Sequence, residues 1–300
     1  MILSGSLCAL ATPFRSYDDA IDLEAFGRLI ERQLDGGTRG VVAAGSTGEA
    51  AALDDMEFST LLEFAVARVA GRVPVLAGTG MSATRKTVQQ TLRARDAGVD
   101  AALVAAPAYV RPTQEGMYRH FSEIADRGGL PVVLYNVPSR TACDIEPATV
   151  QRLARHGNIV GIKEASTEPD RMSALLGLRS AGFVVLSGDD ATAARAIRCG
   201  ADGLISVAAN IAAREIAQMC ELAGSGDAQA TAALLLRLTP LFEHLSAEPN
   251  PIPVKWCLAQ VGIGDAHLRL PLVELSASHR AAGFDAMAAL GLVEAAPAVG

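Results

Sequence analysis

Short apolar runs alternate with longer amphipathic stretches from the N-terminus to about residue 224 of this 300-residue chain. Most of the runs are nearly continuous in Val, Ile, Leu and Ala, which is typical of parallel strands that are buried on both faces. Eight strand-then-helix units favour a closed (β/α)8 barrel, or TIM barrel, over an open sheet. The predicted strands cover residues 6–12, 40–45, 73–78, 101–106, 131–136, 159–163, 183–187 and 203–207.

The stretches between the runs have the period of amphipathic helices. Thr113 precedes one of them as a candidate N-cap, and Gly98 follows another as a stop signal. Beyond residue 224 only helical periodicity remains, so we predict a barrel over residues 1–224 and a C-terminal helical extension over residues 225–300. The helices predicted most clearly cover residues 23–34, 56–70, 83–97, 114–127, 170–179, 227–244, 253–261 and 277–290.

Composition excludes several classes of function. The formal net charge is −7 and no basic run occurs, which argues against a nucleic-acid partner. The five cysteines form no CxxC motif, so we expect free thiols rather than a disulfide framework or a zinc site. No apolar run reaches the ~18 residues of a membrane span, and the N-terminus lacks the basic region of a signal peptide. The prediction is a cytoplasmic protein.

Lysine is rare in this chain, and its placement is informative. Of the 26 basic residues only Lys86, Lys163 and Lys255 are lysines. Lys86 lies in a polar helix, and Lys255 is expected to be a snorkelling or structural lysine. Lys163 instead ends an apolar strand, at the rim where (β/α)8 barrels carry catalysis. Burial there would disfavour the charged ammonium, and an uncharged amine can attack a ketone to form an imine.

The position of Lys163 is also compatible with a salt bridge to Glu164 or Asp189. Tyr135 ends the preceding predicted strand, which would place its hydroxyl beside the lysine. A phenol can carry protons to and from the oxygen that leaves during imine formation. A tyrosine that only packs is a common alternative.

Two further polar segments follow strands at the same rim. Residues 44–49 (AGSTGE) combine glycine backbone N–H groups with hydroxyls, a pattern that suits either a bound carboxylate or a simple chain reversal. Residues 187–190 (SGDD) contain paired aspartates, which indicate a helix N-cap in preference to a divalent metal site. The five histidines are scattered and receive no role as ligands or catalysts.

Several segments together resemble the signatures of the dihydrodipicolinate synthase / N-acetylneuraminate lyase superfamily. The likeness covers nearly the whole chain, and the last segment is particularly similar to the dihydrodipicolinate synthase branch. The segments are GSTGE at 45–49, PTQEG at 112–116, YNVPSRT at 135–141, GIKEA at 161–165, LSGDD at 186–190 and EPNPIPVK at 248–255.

The resemblance implies a lyase of the class I aldolase type that needs no metal and no organic cofactor. Lys163 would form an imine with pyruvate. Tyr135, Thr47 and Tyr109 would form a proton relay, with Tyr109 reaching in from a neighbouring subunit. The protein would be a homotetramer assembled as a dimer of dimers.

The resemblance also implies the second substrate. Arg140 would hold the carboxylate of L-aspartate-4-semialdehyde, and the product would be 4-hydroxy-tetrahydrodipicolinate, on the path to diaminopimelate and lysine. Ser46, Thr47, Gly188 and the Ile205 carbonyl would complete the pocket. Because a guanidinium binds a carboxylate in bidentate fashion, Arg140 favours this branch over a sugar-acid lyase.

Two alternative functions remain open. A 2-oxo-3-deoxy sugar-acid aldolase or an N-acetylneuraminate lyase would use the same pyruvate imine, and Ser46 fits that reading because the lyase branch often has serine there. A non-catalytic barrel that binds a 2-oxo acid is the third hypothesis, and the pair Lys163 and Tyr135 argues against it.

This sequence departs from the family pattern around the expected subunit contact. Ala108 and Val110 flank Tyr109 where Tyr and Asn are usual, so we expect a differently packed interface. Many relatives bind L-lysine at that interface as a feedback inhibitor. Lys86 replaces a carboxylate that would pair with the ligand's amine, so we predict weak or absent inhibition. The matching positions are Asp55, Phe58, Ser82, Lys86 and Ala108.

Overall fold

The structure, a computed structural model, describes residues 2–294 and contains a closed barrel of eight parallel strands. The strands are β1 Gly5–Ala9, β2 Gly40–Ala43, β3 Val75–Gly78, β4 Ala101–Ala105, β5 Val132–Asn136, β6 Ile159–Glu164, β7 Val184–Ser187 and β8 Gly203–Ser206. Each strand pairs with its neighbours in chain order, and β8 closes onto β1. The predicted fold class is confirmed.

Helices follow the strands and cover the outside of the barrel. Each strand is followed by at least one helix, as the predicted units require, and β5 is followed by two. Helices α5, α6, α8 and α9 were not among the helices named from the sequence. The helices are α1 Leu23–Asp35, α2 Asp55–Val69, α3 Thr84–Asp96, α4 Gln114–Arg127, α5 Pro138–Thr141, α6 Pro147–Leu153, α7 Pro169–Leu176, α8 Asp190–Arg198, α9 Ala213–Ser225, α10 Ala228–Leu245, α11 Ile252–Gln260 and α12 Ala277–Ala288.

Side chains at the helix ends explain several of these boundaries. The Thr113 hydroxyl accepts a hydrogen bond from Gly116 N and caps α4, as predicted. Gly98 has a φ of +85° just after α3, in the left-handed region that glycine tolerates. The prediction that α7 continues to residue 179 is wrong, because the helix ends at Leu176 and Gly177 follows.

Strand β1 is shorter than its apolar run. The run continues to Thr12, but the backbone N–H of Ala11 donates to the Asn210 side-chain oxygen, 3.0 Å away, instead of to a neighbouring strand. Leu10 and Ala11 remain fully buried although they lie beyond the strand. An apolar run in the sequence therefore predicts which residues are buried. The ends of the strand within the run are determined by the backbone hydrogen bonds.

The strands are apolar on both faces because they separate two packed layers. Leu7, Val42, Leu76, Leu103 and Val133 belong to the cluster that fills the barrel interior. The alternate residues pack outward against the helices in a larger cluster, in which Phe26, Leu29, Phe58, Leu62 and Phe121 are buried. Residues two apart on a strand share a face, so each strand presents its side chains alternately to these two layers.

Helices α10, α11 and α12 form the C-terminal part of the chain. Helix α10 packs against α8 and α9, and α11 and α12 pack against α10. Trp256 of α11 lies edge-on between His244 of α10 and Phe284 of α12, with ring centroids 5.6 and 5.1 Å away. The division of the chain at residue 224 stays a prediction. Within residues 2–294, no helix has the length and apolar character needed to cross a bilayer.

His120 of α4 is expected to make the free energy of unfolding depend on pH. Its Nδ1 lies 2.9 Å from the Thr84 hydroxyl, and its Nε2 is buried without a hydrogen-bond partner. Burial lowers the pKa of His120 from 6.5 to about 4. Between these values the unfolded chain binds a proton that the folded chain does not bind. We therefore expect the free energy of unfolding to fall as the pH decreases from 6.5 towards 4, by up to about 3 kcal/mol.

Urea unfolding at a series of pH values tests this expectation. In His120→Asn, which keeps a polar group near Thr84 but cannot titrate, the loss of stability between pH 7 and pH 5 should be clearly smaller than in the unmodified protein. Burial also lowers the pKa of His244, which stays in both proteins, so part of the loss should persist. Equal pH dependence of the two proteins would contradict the role of His120.

Candidate active site

Lys163 and Tyr135 lie side by side at the carboxyl-terminal rim of the barrel. Strands β5 and β6 pair so that Tyr135 and Lys163 are direct neighbours in register. Lys163 is 4% exposed and Tyr135 is 8% exposed. The Lys163 Nζ lies 4.4 Å from the centroid of the Tyr135 ring. The apolar strand interior thus holds an amine against a phenol at the rim where such barrels carry catalysis.

The Lys163 amine has no counter-ion. Among residues 2–294 it forms no ion pair and no hydrogen bond, although several carboxylates are near in sequence. Asp189 accepts hydrogen bonds from the backbone N–H and the hydroxyl of Thr192, so it caps α8. The alternative interpretation, a lysine held in a salt bridge by Glu164 or Asp189, is therefore wrong.

Glu164 follows Lys163 in sequence but belongs to a separate polar network. It points to the opposite face of β6, as the next residue of a strand must. Its carboxylate accepts hydrogen bonds from Arg171 Nε at 2.6 Å, from Ser166 N at 2.7 Å and from Asn136 Nδ2 at 3.0 Å. Burial raises the pKa of Glu164, while Arg171 opposes that shift. The network keeps this carboxylate away from the Lys163 amine.

Gly188 packs directly against Lys163. A Cβ atom at this position would lie 2.9 Å from Lys163 Cε, 3.0 Å from Ala165 Cβ and 3.1 Å from the Glu164 carbonyl oxygen. Ordinary contacts of such atoms are longer, so any larger residue would push the lysine chain aside. Glycine at 188 therefore fixes where the amine can lie, a role that the sequence alone did not indicate.

A cavity of about 550 Å³ opens above Lys163. Such a volume falls in the range of small-molecule sites. Thr47 and Ser46 contribute hydroxyls from the loop after β2, and Arg140 contributes a guanidinium from α5. Six of the eight residues predicted for the site line this cavity: Ser46, Thr47, Tyr135, Arg140, Lys163 and Gly188.

Tyr109 and Ile205 do not line the cavity. The Ile205 side chain is fully buried in the barrel interior, and Val207 forms the cavity wall at that point. A role for the Ile205 carbonyl stays a prediction. Tyr109 is 92% exposed and has a φ of +74°.

The paired aspartates at the end of β7 are occupied by protein groups. Asp189 caps α8, and Asp190 accepts hydrogen bonds from the Ser206 hydroxyl and from the backbone N–H groups of Val207 and Ala208. Burial raises the pKa of Asp190. Across residues 2–294, no three His, Cys, Asp or Glu side chains are placed to hold a metal ion together. The N-cap interpretation of this segment is confirmed.

The C-terminal part of the chain forms one wall of the cavity, which sequence reasoning missed. Asn250 is the residue that contacts predicted site residues: its Nδ2 donates to Thr47 Oγ1 at 3.0 Å, and its carbonyl accepts from Arg140 Nη2 at 3.1 Å. The motif EPNPIPVK was the available signal, since the polar residue Asn250 lies between two prolines. The segment lining the wall comprises Phe242 and residues 245–250.

Lys255 of the same motif is structural and does not snorkel. It is 1% exposed, and its Nζ donates to Glu49 Oε1 at 2.6 Å. Burial lowers the pKa of Lys255, and Glu49 opposes that shift. Because Glu49 ends the loop that carries Ser46 and Thr47, this ion pair joins the loop to α11.

A model of the Dihydrodipicolinate synthetase family matches residues 2–289. The chain belongs to the dihydrodipicolinate synthetase family. It is 57% identical over 282 residues to the 4-hydroxy-tetrahydrodipicolinate synthase of Stenotrophomonas maltophilia (strain K279a), and 94% of each chain is covered. The predicted resemblance is confirmed.

Solved structures of dihydrodipicolinate synthases have the same fold as this family member. The chloride-inhibited enzyme of Acinetobacter baumannii, complexed with pyruvate, has a TM-score of 0.94 at 40% identity, with 97% of this chain and 99% of that chain covered. A monomeric dihydrodipicolinate synthase variant also has a TM-score of 0.94, at 35% identity, with 97% of this chain and 98% of that chain covered. The helical C-terminal part therefore belongs to the family fold.

Proposed function

We propose that this protein condenses pyruvate with L-aspartate-4-semialdehyde through an imine on Lys163 and yields 4-hydroxy-tetrahydrodipicolinate. The observation that carries the proposal is the buried amine of Lys163, which faces a cavity beside Tyr135 and has no ion-pair partner among residues 2–294. The name of the Stenotrophomonas maltophilia relative and the pyruvate complex of the Acinetobacter baumannii enzyme support it.

The first half of the reaction is the capture of pyruvate. The Lys163 amine attacks the ketone carbon through its nitrogen lone pair, and the resulting carbinolamine loses water to give a protonated imine. The oxygen that leaves needs a proton, which the Tyr135 hydroxyl can deliver and Thr47 can pass on. The protonated imine then draws electrons from the methyl group, and a methyl proton passes to the Tyr135 oxygen, which has given up its own proton, so that a neutral enamine forms. No external cofactor is required.

The second half is carbon–carbon bond formation. The enamine carbon attacks the aldehyde of aspartate semialdehyde, whose carboxylate Arg140 can bind. The substrate's amino group then attacks the imine carbon, closes the ring and releases Lys163. A sugar-acid aldolase would need groups that recognise several hydroxyls, and the guanidinium of Arg140 suits a carboxylate better. The named relatives also do not favour the sugar-acid alternative.

Steady-state assays with pyruvate and a panel of aldehydes test the proposal. Turnover with aspartate semialdehyde should exceed turnover with N-acetylmannosamine or glyceraldehyde by at least roughly a hundredfold, as expected when a site is built around one charged group. In Arg140→Ala the KM for aspartate semialdehyde should rise strongly, while the KM for pyruvate changes little. Preferred turnover of a sugar aldehyde would overturn the proposed substrate.

We further propose that Tyr109 completes the site of a neighbouring subunit, within a homotetramer built as a dimer of dimers. Tyr109 and Val110 are exposed apolar residues beside Met81, and the Ser82 hydroxyl donates to the Ala108 carbonyl at 3.0 Å, which holds the two segments together. An exposed apolar patch of this kind is typical of a protein interface. Light scattering should give the mass of a tetramer, and a monomer with full activity would contradict the role of Tyr109.

The cysteines bear on the cellular compartment of the protein. All five cysteines are free thiols in the structure, which suits a reducing environment. We therefore propose that the enzyme acts in the cytoplasm, with pyruvate and the semialdehyde as its small-molecule partners.

Feedback inhibition by L-lysine is predicted to be weak or absent. Asp55 is already paired with Arg93 at 2.5 Å, and Lys86 is exposed with a charge that repels the ligand's ammonium group. Initial rates at increasing L-lysine should stay near the uninhibited value up to millimolar concentrations. Lys86→Glu, which replaces the repelling charge by an attracting one, should increase sensitivity. Half-maximal inhibition of the unmodified enzyme by submillimolar lysine would disprove the prediction.

A further inference from the structure

Asn250 connects the C-terminal wall of the cavity to two residues of the proposed site. Its side-chain Nδ2 donates to Thr47 Oγ1 at 3.0 Å, and its backbone carbonyl accepts from Arg140 Nη2 at 3.1 Å. Thr47 lies in the loop after β2 and Arg140 in α5, so a single residue contacts groups from two separate parts of the rim. The two contacts use different parts of Asn250 and can be separated by mutation.

The contact with Thr47 restricts the direction of its hydroxyl hydrogen. A threonine hydroxyl has one hydrogen to donate and two lone pairs that accept. Thr47 is 2% exposed, and the bond from Asn250 is the one hydrogen bond of its hydroxyl within residues 2–294. Because Asn250 donates, it occupies a lone pair and leaves the hydrogen of Thr47 free to point into the cavity.

We infer that Asn250 is a positioning residue that holds the Thr47 hydroxyl as a proton donor towards the reacting groups. This inference rests on the proposed function, in which Thr47 passes protons to and from Tyr135. Without Asn250 the hydroxyl could rotate and spend part of its time directed away from the cavity. The imine-forming and imine-releasing steps would slow, whereas substrate binding would change little.

The backbone contact makes the test specific. The Asn250 carbonyl holds Arg140 whatever side chain stands at position 250, so the carboxylate-binding group should stay in place in a variant. Asn250→Ala removes the donor. Asn250→Asp is nearly the same size but offers an acceptor in its ionised form, so it would take the Thr47 hydrogen for itself.

Steady-state kinetics of these variants of the full chain test the positioning role of Asn250. In Asn250→Ala we expect kcat to fall about tenfold, with the KM values for pyruvate and aspartate semialdehyde changed less than threefold, as expected for one lost hydrogen bond. Asn250→Asp should be slower than Asn250→Ala at neutral pH. In a Thr47→Val background, which has no hydroxyl, Asn250→Ala should cost no further activity.

Each other outcome overturns the inference. Wild-type activity of Asn250→Asp would mean that the amide accepts from Thr47, and additive losses in the Thr47→Val background would mean a merely structural role. Urea unfolding of each variant separates loss of fold from loss of rate. If the unmodified enzyme captures pyruvate but does not use aspartate semialdehyde, the proposed substrate is wrong. The role of Asn250 can still be tested in the same variants, because the rate of borohydride trapping with pyruvate measures imine formation alone.

Discussion

Lys163→Ala is expected to lower turnover by roughly a thousandfold or more, because none of the other described residues that line the cavity carries an amine that could form the imine. The fold should survive the change. Lys163 is buried and has no ion-pair partner among residues 2–294. Burial of an unpaired polar group costs free energy, so removal of the amine should not destabilise the fold. We expect the free energy of unfolding to stay equal or to rise.

Lys86 offers a matched control for this experiment. Lys86 is exposed on α3 and lies outside the residues that line the cavity, so Lys86→Ala should retain the activity of the unmodified enzyme. Steady-state rates and urea unfolding curves of both variants give the comparison. Substantial activity in Lys163→Ala, at a level similar to Lys86→Ala, would mean that another nucleophile carries the reaction.

Lys255→Met should destabilise the fold by about 3 to 5 kcal/mol, the cost of leaving one partner of a buried ion pair without the other. Among residues 2–294, Glu49 would keep one hydrogen bond, from the Arg269 backbone N–H at 3.1 Å, and the weaker attraction of the more distant Arg269 guanidinium. The loop with Thr47 would lose its tie to α11, so a decrease in activity should accompany the loss of stability. Urea unfolding measures the first effect and initial rates measure the second.

An exposed ion pair of similar length is the control for Lys255. Arg127 and Glu123 lie 2.7 Å apart, but their side chains are 66% and 45% exposed. Arg127→Met should cost less than about 1 kcal/mol, because water screens such pairs. The double variant Lys255→Met, Glu49→Leu should regain part of the lost stability, since it removes the unpaired charge as well. A cost for Lys255→Met as small as that for Arg127→Met would contradict the account.

The barrel itself was predictable from the sequence. Strands β3 to β8 begin and end within two residues of their apolar runs, because burial on both faces demands Val, Ile, Leu and Ala throughout. Lys163 and Tyr135 were also predictable, since polar residues at the ends of such runs lie at the same rim. The sequence also predicted that Tyr135 lies beside Lys163, and the pairing of β5 with β6 agrees with that expectation. The register shift between Val132 and Val133 was not predictable, because register depends on how neighbouring strands align.

Contacts between distant parts of the chain could not be read from the sequence. Asn250 lies 203 residues from Thr47, and Lys255 lies 206 residues from Glu49. Periodicity identified α11 as a helix but gave no information about which residues face the cavity. Gly188 was expected to line the pocket, whereas its close approach to Lys163 becomes visible only in three dimensions.

Borohydride reduction in the presence of pyruvate, followed by peptide mass spectrometry, tests the central claim most directly. The account predicts one reduced pyruvate adduct per chain, located on Lys163, and none on Lys86 or Lys255. An enzyme that turns over substrate yet gives no adduct at Lys163, or carries it on another residue, would contradict the account.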